Sequence, residues 1–201
     1  MNRVLWAAAL VAVAIVGYHV QRGWSKRSDP VAIQAQVQKA YDSMEAKARA
    51  DHPDMPLADA MKATSTELTN QKLASVDPDD RGKTAASFYM GFHWSNTRTR
   101  KEYCDARGVD ITPFVSTFES AHAQELARAT AILSSEGMDP EAAYPLIKPQ
   151  MTQAIEQDMR DVAKGANVAE SETCQLFVDN AEQIVGLLVL PPAVEQALSG
   201  A

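Results

Sequence analysis

The densest run of side chains able to do chemistry is Phe88 to Asp110, FYMGFHWSNTRTRKEYCDARGVD. It holds His93, Trp94, Asn96, Arg98, Arg100, Cys104 and Arg107. Arginine supplies a forked donor for carboxylate or phosphate, and tryptophan supplies broad amphipathic contact area. Trp94, Arg98, Arg100 and Arg107 therefore read as a candidate binding surface on an otherwise acidic body. The competing reading is a core helix whose last turns carry basic residues because the helix dipole favours cations there. Glu102, Asp105 and Asp110 stand near enough in sequence to pair with these arginines.

His93, Asn96 and His122 read as buried polar residues. Asn96 falls on the apolar stripe of its helix, where a buried amide must find partners. His122 lies between Phe118 and Leu126 on another apolar stripe. Acid–base work by His122 with Glu119 or Glu125 is conceivable, although neither glutamate shares its face well. No catalytic residue is assigned.

Metal and cofactor signatures are absent from the sequence. His19, His52, His93 and His122 are scattered, with no H-E-x-x-H. Asp77-x-Asp79-x-Arg81-Gly82 begins like a calcium loop, then places Arg81 and Phe88 where oxygen ligands are required. There is no glycine-rich phosphate loop and no G-x-S-x-G elbow. The expectation is no metal and no cofactor.

Two cysteines remain, Cys104 near the end of one helix and Cys174 in the first turn of another. In an exported chain such a pair suggests a disulfide. Closing a loop of about 70 residues is worth roughly 4 kcal/mol in the chain-entropy model. Two separate buried thiols are the alternative.

The compartment is argued from the amino terminus. Val4 to Val20 reads VLWAAALVAVAIVGYHV, about 17 residues with only His19 titratable, the short end of a membrane span. Tyr18 and Trp24 sit where interfacial aromatics belong. Ala12 and Ala14 supply an A-x-A pattern, but inside the apolar run, so an uncleaved anchor is favoured over a signal peptide. Arg22, Lys26 and Arg27 after the run outnumber the charges before it, and positive-inside counting alone would keep the body cytoplasmic. The cysteine pair points to the periplasm, with secretion after cleavage as the alternative.

Residues 1–28 carry Arg3, Arg22, Lys26 and Arg27 and no acid, so the rest is more acidic than the net charge of -7. An acidic body argues against nucleic-acid binding, which rests on neutralising phosphates.

The elements that position these residues are helical. Apolar spacing of three and four recurs between Pro, Gly and capping residues, and no strand-like alternation is sustained. Ile33, Val37, Tyr41, Met44 and Ala48 mark a first helix, and Met61, Thr64 and Leu68 a thin second stripe. Asp77 to Asp80 reads as a loop before a helix over about 83–106. A fourth helix opens at Thr112-Pro113 and runs to Gly137. A fifth opens at Asp139-Pro140, is bent or split by Pro145 and Pro149, and continues to Gly165. A last long helix spans about 169–190. The expected fold is all-α, an irregular bundle of about five or six helices behind one N-terminal membrane anchor or signal segment. It divides into 1–28 (anchor and basic flank), 29–80 (peripheral helices or stalk) and 81–201 (disulfide-linked core).

These features imply a non-enzymatic interaction or accessory module of a bacterial envelope. It would be single-pass in the inner membrane, with its body in the periplasm and a protein partner there. A small helical hydrolase acting on envelope material, with His93 or His122 in its site, and a small-ligand-binding helical protein are the other readings.

Overall fold

The structure, a computed structural model, describes residues 30–200, and every regular element in them is helical. The expected anchor at 4–20 and its basic flank lie outside the described residues.

Helix α1 (Pro30–Asp51) and α2 (Leu57–Ser75) are joined by a five-residue turn and pack on each other. Short connections make antiparallel neighbours. Val37, Tyr41, Met44 and Ala48 of α1 are buried, whereas the side chain of Ile33 lies outside the described residues. α1 also lies on the long helix α7 (Pro140–Ala166), where the Gln150 amide donates to Gln38 Oε1 at 3.2 Å. Residues 30–75 thus pack on the rest of the bundle rather than standing off as a stalk.

The centre is one continuous rod from 78 to 105: α3 (Pro78–Trp94), a π-helical segment (Ser95–Thr99) and α4 (Arg100–Asp105). It begins five residues before the expected start. Pro78 takes the first helical position, where its missing N–H costs nothing, and Asp79 and Asp80 suit the positive end of the dipole. Around the rod lie α2, α5 (Thr112–Ala121), α6 (Ala123–Ser135), α7 and α10 (Pro192–Ser199). A 3₁₀ turn (Glu170–Glu172), α8 (Thr173–Asp179) and α9 (Ala181–Val185) complete the body.

Three helices end the same way. Gly108 (φ 76°), Gly137 (φ 69°) and Asn167 (φ 55°) are left-handed. In each case the next residue's N–H reaches back five: Val109 to Cys104, Met138 to Leu133, Val168 to Ala163. This is the Schellman stop, for which glycine and then asparagine are suited. Gly165, the expected end of α7, stays helical because Asn167 supplies the left-handed residue two positions later.

Two further expectations fail. Pro145 and Pro149 do not split α7, which runs unbroken for 27 residues. Each proline removes one ladder donor, and the packed face of Tyr144, Ile147, Met151 and Ile155 holds the helix together. Conversely, the expected fourth and last helices are each broken. His122 (φ -111°, ψ 19°) separates α5 from α6, and Asn180 (φ -126°, ψ 29°) separates α8 from α9.

Candidate functional site

Five side chains along the central rod recur at intervals of four: Phe88, Phe92, Asn96, Arg100 and Cys104. All are at most 1% exposed. An unbroken α-helix overshoots by about 40° every four residues, which would swing such a stripe far around the rod. The π-helical segment prevents this. Its bonds span five residues, as in Arg100 N–H to Ser95 carbonyl, and each such turn winds the stripe back. The local sequence explains why the segment forms there. Ser95 Oγ, Asn96 Nδ2 and Thr97 Oγ1 donate in succession to the carbonyls of Gly91, Phe92 and His93 at 2.9, 2.9 and 2.8 Å. Such back-bonding satisfies carbonyls beside the altered ladder.

The stripe ends in two rungs. Arg100 Nη1 donates to Asp158 Oδ2 at 2.7 Å and lies 3.2 Å from Met159 Sδ, both on α7. Its Nη2 reaches Asn96 Oδ1 at 3.4 Å, and its guanidinium carbon sits 4.5 Å from the Phe177 ring centroid. Arg100 Nε has no hydrogen-bond partner among the described residues. One turn on, Cys104 and Cys174 stand at bonding distance, S–S 2.07 Å, with 5.6 Å between their Cα atoms. Phe177 follows Cys174 by three residues on α8, so the Arg100–Phe177 contact and the sulfur pair join α4 to α8, while the ion pair joins α4 to α7. Half-buried Lys62 is a second cation near Asp158. Burial lowers its pKa, and Asp59 and Asp158 act against that shift.

The expected binding surface does not form. Trp94 and Arg100 are interior: the rod is buried at every position from Thr84 to Thr97, and again at Thr99 and Arg100. An amphipathic reading assumes a solvent face that this helix lacks. Trp94 packs on Tyr144 with ring centroids 5.7 Å apart, and its Nε1 has no hydrogen-bond partner among the described residues. Arg98 and Arg107 do reach the surface, but both are engaged. Arg98 grips both oxygens of Glu141 at 2.7 Å and lies 5.2 Å from the Tyr144 ring centroid. Arg107 lies 3.4 Å over the Tyr103 ring and donates to that residue's carbonyl at 3.0 Å.

His93 and His122 meet on Phe118, at centroid distances of 6.3 and 4.5 Å. Their other neighbours are aromatic: Tyr89 stacks on His93, and Phe92 meets His122 edge-on. Burial, then the Arg98 charge, pushes His93 down to about 4, and burial lowers His122. His122 Nε2 lies 3.2 Å from the Leu188 carbonyl. A carbonyl can only accept, so Nε2 carries the proton. The two rings thus converge inside a filled aromatic cluster, not on a polar cleft.

The chain matches no family model, no curated protein and no solved structure.

Among the described residues, no group of three or more His, Cys, Asp or Glu could hold a metal ion. A surface concavity lies elsewhere. A groove of about 820 Å³ runs between the end of α2, the start of α3, the end of α6 and α10. Leu73, Ile132 and Ala197 give it apolar walls, and Arg81, Lys83 and Glu136 give it charge. Lys83 is paired with Asp80 and Glu136, whereas Arg81 is exposed and makes no ion pair among the described residues.

Asp158 and Glu141 are partners that the sequence reading does not name. Asp158 carried a usable signal. It stands three residues after Ile155 and four before Val162, on the apolar stripe of α7, as Asn96 does on its own helix.

Proposed function

We propose that the chain is a non-enzymatic interaction or accessory module of the bacterial cell envelope. Residues 4–20 tether it to the inner membrane, and its helical body lies in the periplasm. The observation that carries this reading is the pairing of Cys104 with Cys174, since structural disulfides persist in oxidising compartments. The apolar run ahead of the body supports the tether. Among the described residues no helix is long and apolar enough to cross a membrane, so the run at 4–20 is the candidate span.

The arginines and histidines that could have faced a substrate are consumed in holding the bundle together. The groove between α2, α3, α6 and α10 is the surface we assign to the partner. Its form suits an amphipathic helix laid with its apolar side against Leu73, Ile132 and Ala197. Protease added after outer-membrane permeabilisation tests the topology: digestion of the body is the expected result. A body protected until the inner membrane is broken overturns the proposal.

A further inference from the structure

The groove and the start of α1 lie at one pole of the bundle. α1 returns through a five-residue turn into α2, so the two run antiparallel. Cross-helix pairs fix their directions against α7. Gln150 donates to Gln38 of α1, and further along α7 the Arg160 charge acts on Tyr41, so α1 runs with α7. Asp158 acts on Lys62 of α2 and Asp161 on Asp59, so α2 runs against α7. The start of α1 at Pro30, the end of α2 at Ser75 and the start of α7 at Pro140 therefore gather at one pole. The groove opens there: Leu73 at the end of α2, Arg81 at the start of α3 and Glu136 just past α6 all line it. The turn 52–56, where Met55 is 49% exposed, is the other pole. By the rise of the 22-residue α1 it stands about 33 Å away.

Nine residues separate Val20, the end of the apolar run, from Pro30. At full extension that length of chain reaches about 35 Å. With 4–20 as the tether, Pro30 stays within this distance of the bilayer however the body turns. The Met55 pole carries no such tie and can swing about 33 Å farther out.

The chemistry of the groove selects among occupants at that depth. Its walls are apolar at Leu73, Ile132 and Ala197, and its charges cancel, Arg81 and Lys83 against Asp79 and Glu136. An anionic lipid surface is held by an excess of Lys and Arg, which the groove lacks. A helix with one apolar side and mixed charge beside it matches both features.

We infer that the occupant is an amphipathic helix that a different inner-membrane protein carries beside its own span, met by the groove at the bilayer surface. This deepens the proposed function and rests on its tether. A helix held at the same depth as the groove gains effective concentration from the shared membrane. A partner diffusing through the periplasm has no such gain.

The test has two arms, both on the full chain. In the first, a fluorophore is placed at Gln196→Cys, exposed in the groove, or at Met55→Cys at the other pole. Cys104 and Cys174 are joined and do not compete for the label. The chain is set in nanodiscs of phosphatidylethanolamine and phosphatidylglycerol with a trace of acceptor-labelled lipid. A larger loss of donor emission at position 196 than at position 55 is expected. Equal loss, or a larger loss at position 55, overturns the inference. In the second arm, Gln196 is replaced by benzoylphenylalanine in intact cells, and the photoadduct is identified by mass spectrometry. A polypeptide with its own apolar span is the expected adduct. A soluble protein, a lipid, a second copy of this chain or no adduct overturns the inference. Failure of the tether reads differently: the chain does not enter the nanodisc, or its body resists protease after outer-membrane permeabilisation.

Discussion

Arg100 donates to Asp158 at 2.7 Å across 58 residues of sequence, and neither side chain is more than 4% exposed. Breaking a buried ion pair from one side costs about 3–5 kcal/mol. Arg100→Ala should lower unfolding stability by that amount in urea melts. Replacing both residues, as Arg100→Met with Asp158→Leu, should recover most of the loss, because the desolvation of both ions disappears with the pair. A loss under about 1 kcal/mol for Arg100→Ala would contradict the interior placement.

The π-helical segment is what aims Arg100 and Cys104 inward. Deleting Thr97 should turn that stretch into ordinary α-helix and rotate everything after it by about 100°. The expected outcome is two titratable thiols in the denatured, unreduced protein and a lower melting temperature. A deletion variant with its cysteines still joined would remove the segment's role.

Burial of His93 ties global stability to pH. Its pKa is about 4 in the folded chain, against about 6.5 unfolded, so the unfolded state takes up the proton first. Its neutral-ring contribution is present above pH 6.5 and is lost as pH falls towards 4, by up to about 3 kcal/mol. His93→Phe should make stability less steep across that window in chemical denaturation at several pH values.

Filling the groove tests the partner surface without touching the core. Ala197, which lines it and is only half-buried, should accept Trp with little change in melting temperature. If a partner helix lies there, Ala197→Trp should abolish co-migration of the chain with that partner on native gels. Unchanged co-migration would move the interface elsewhere.

The helices were legible in the sequence because local chemistry governs them. Asp139 accepts from the Glu141 N–H ahead of Pro140, and Gly108 and Gly137 close their helices in the left-handed conformation. The stripe Val37, Tyr41, Met44 and Ala48 reads directly from helical spacing. The candidate site was less legible, because its geometry is tertiary. Nothing local tells Arg100 that Asp158 waits on another helix, or that Trp94 is enclosed on all sides. The breaks at His122 and Asn180 follow the same rule. Each residue trades one α-helical conformation for packing of its flanking turns, and that gain is invisible to periodicity.

Thiol trapping in intact cells, followed by reducing and non-reducing gels, tests the central claim most directly. A blocked, intramolecular Cys104–Cys174 pair is the expected result and would place an oxidised staple between α4 and α8 in the living envelope. Two free thiols, alkylated before lysis, would contradict both the staple and the exported body.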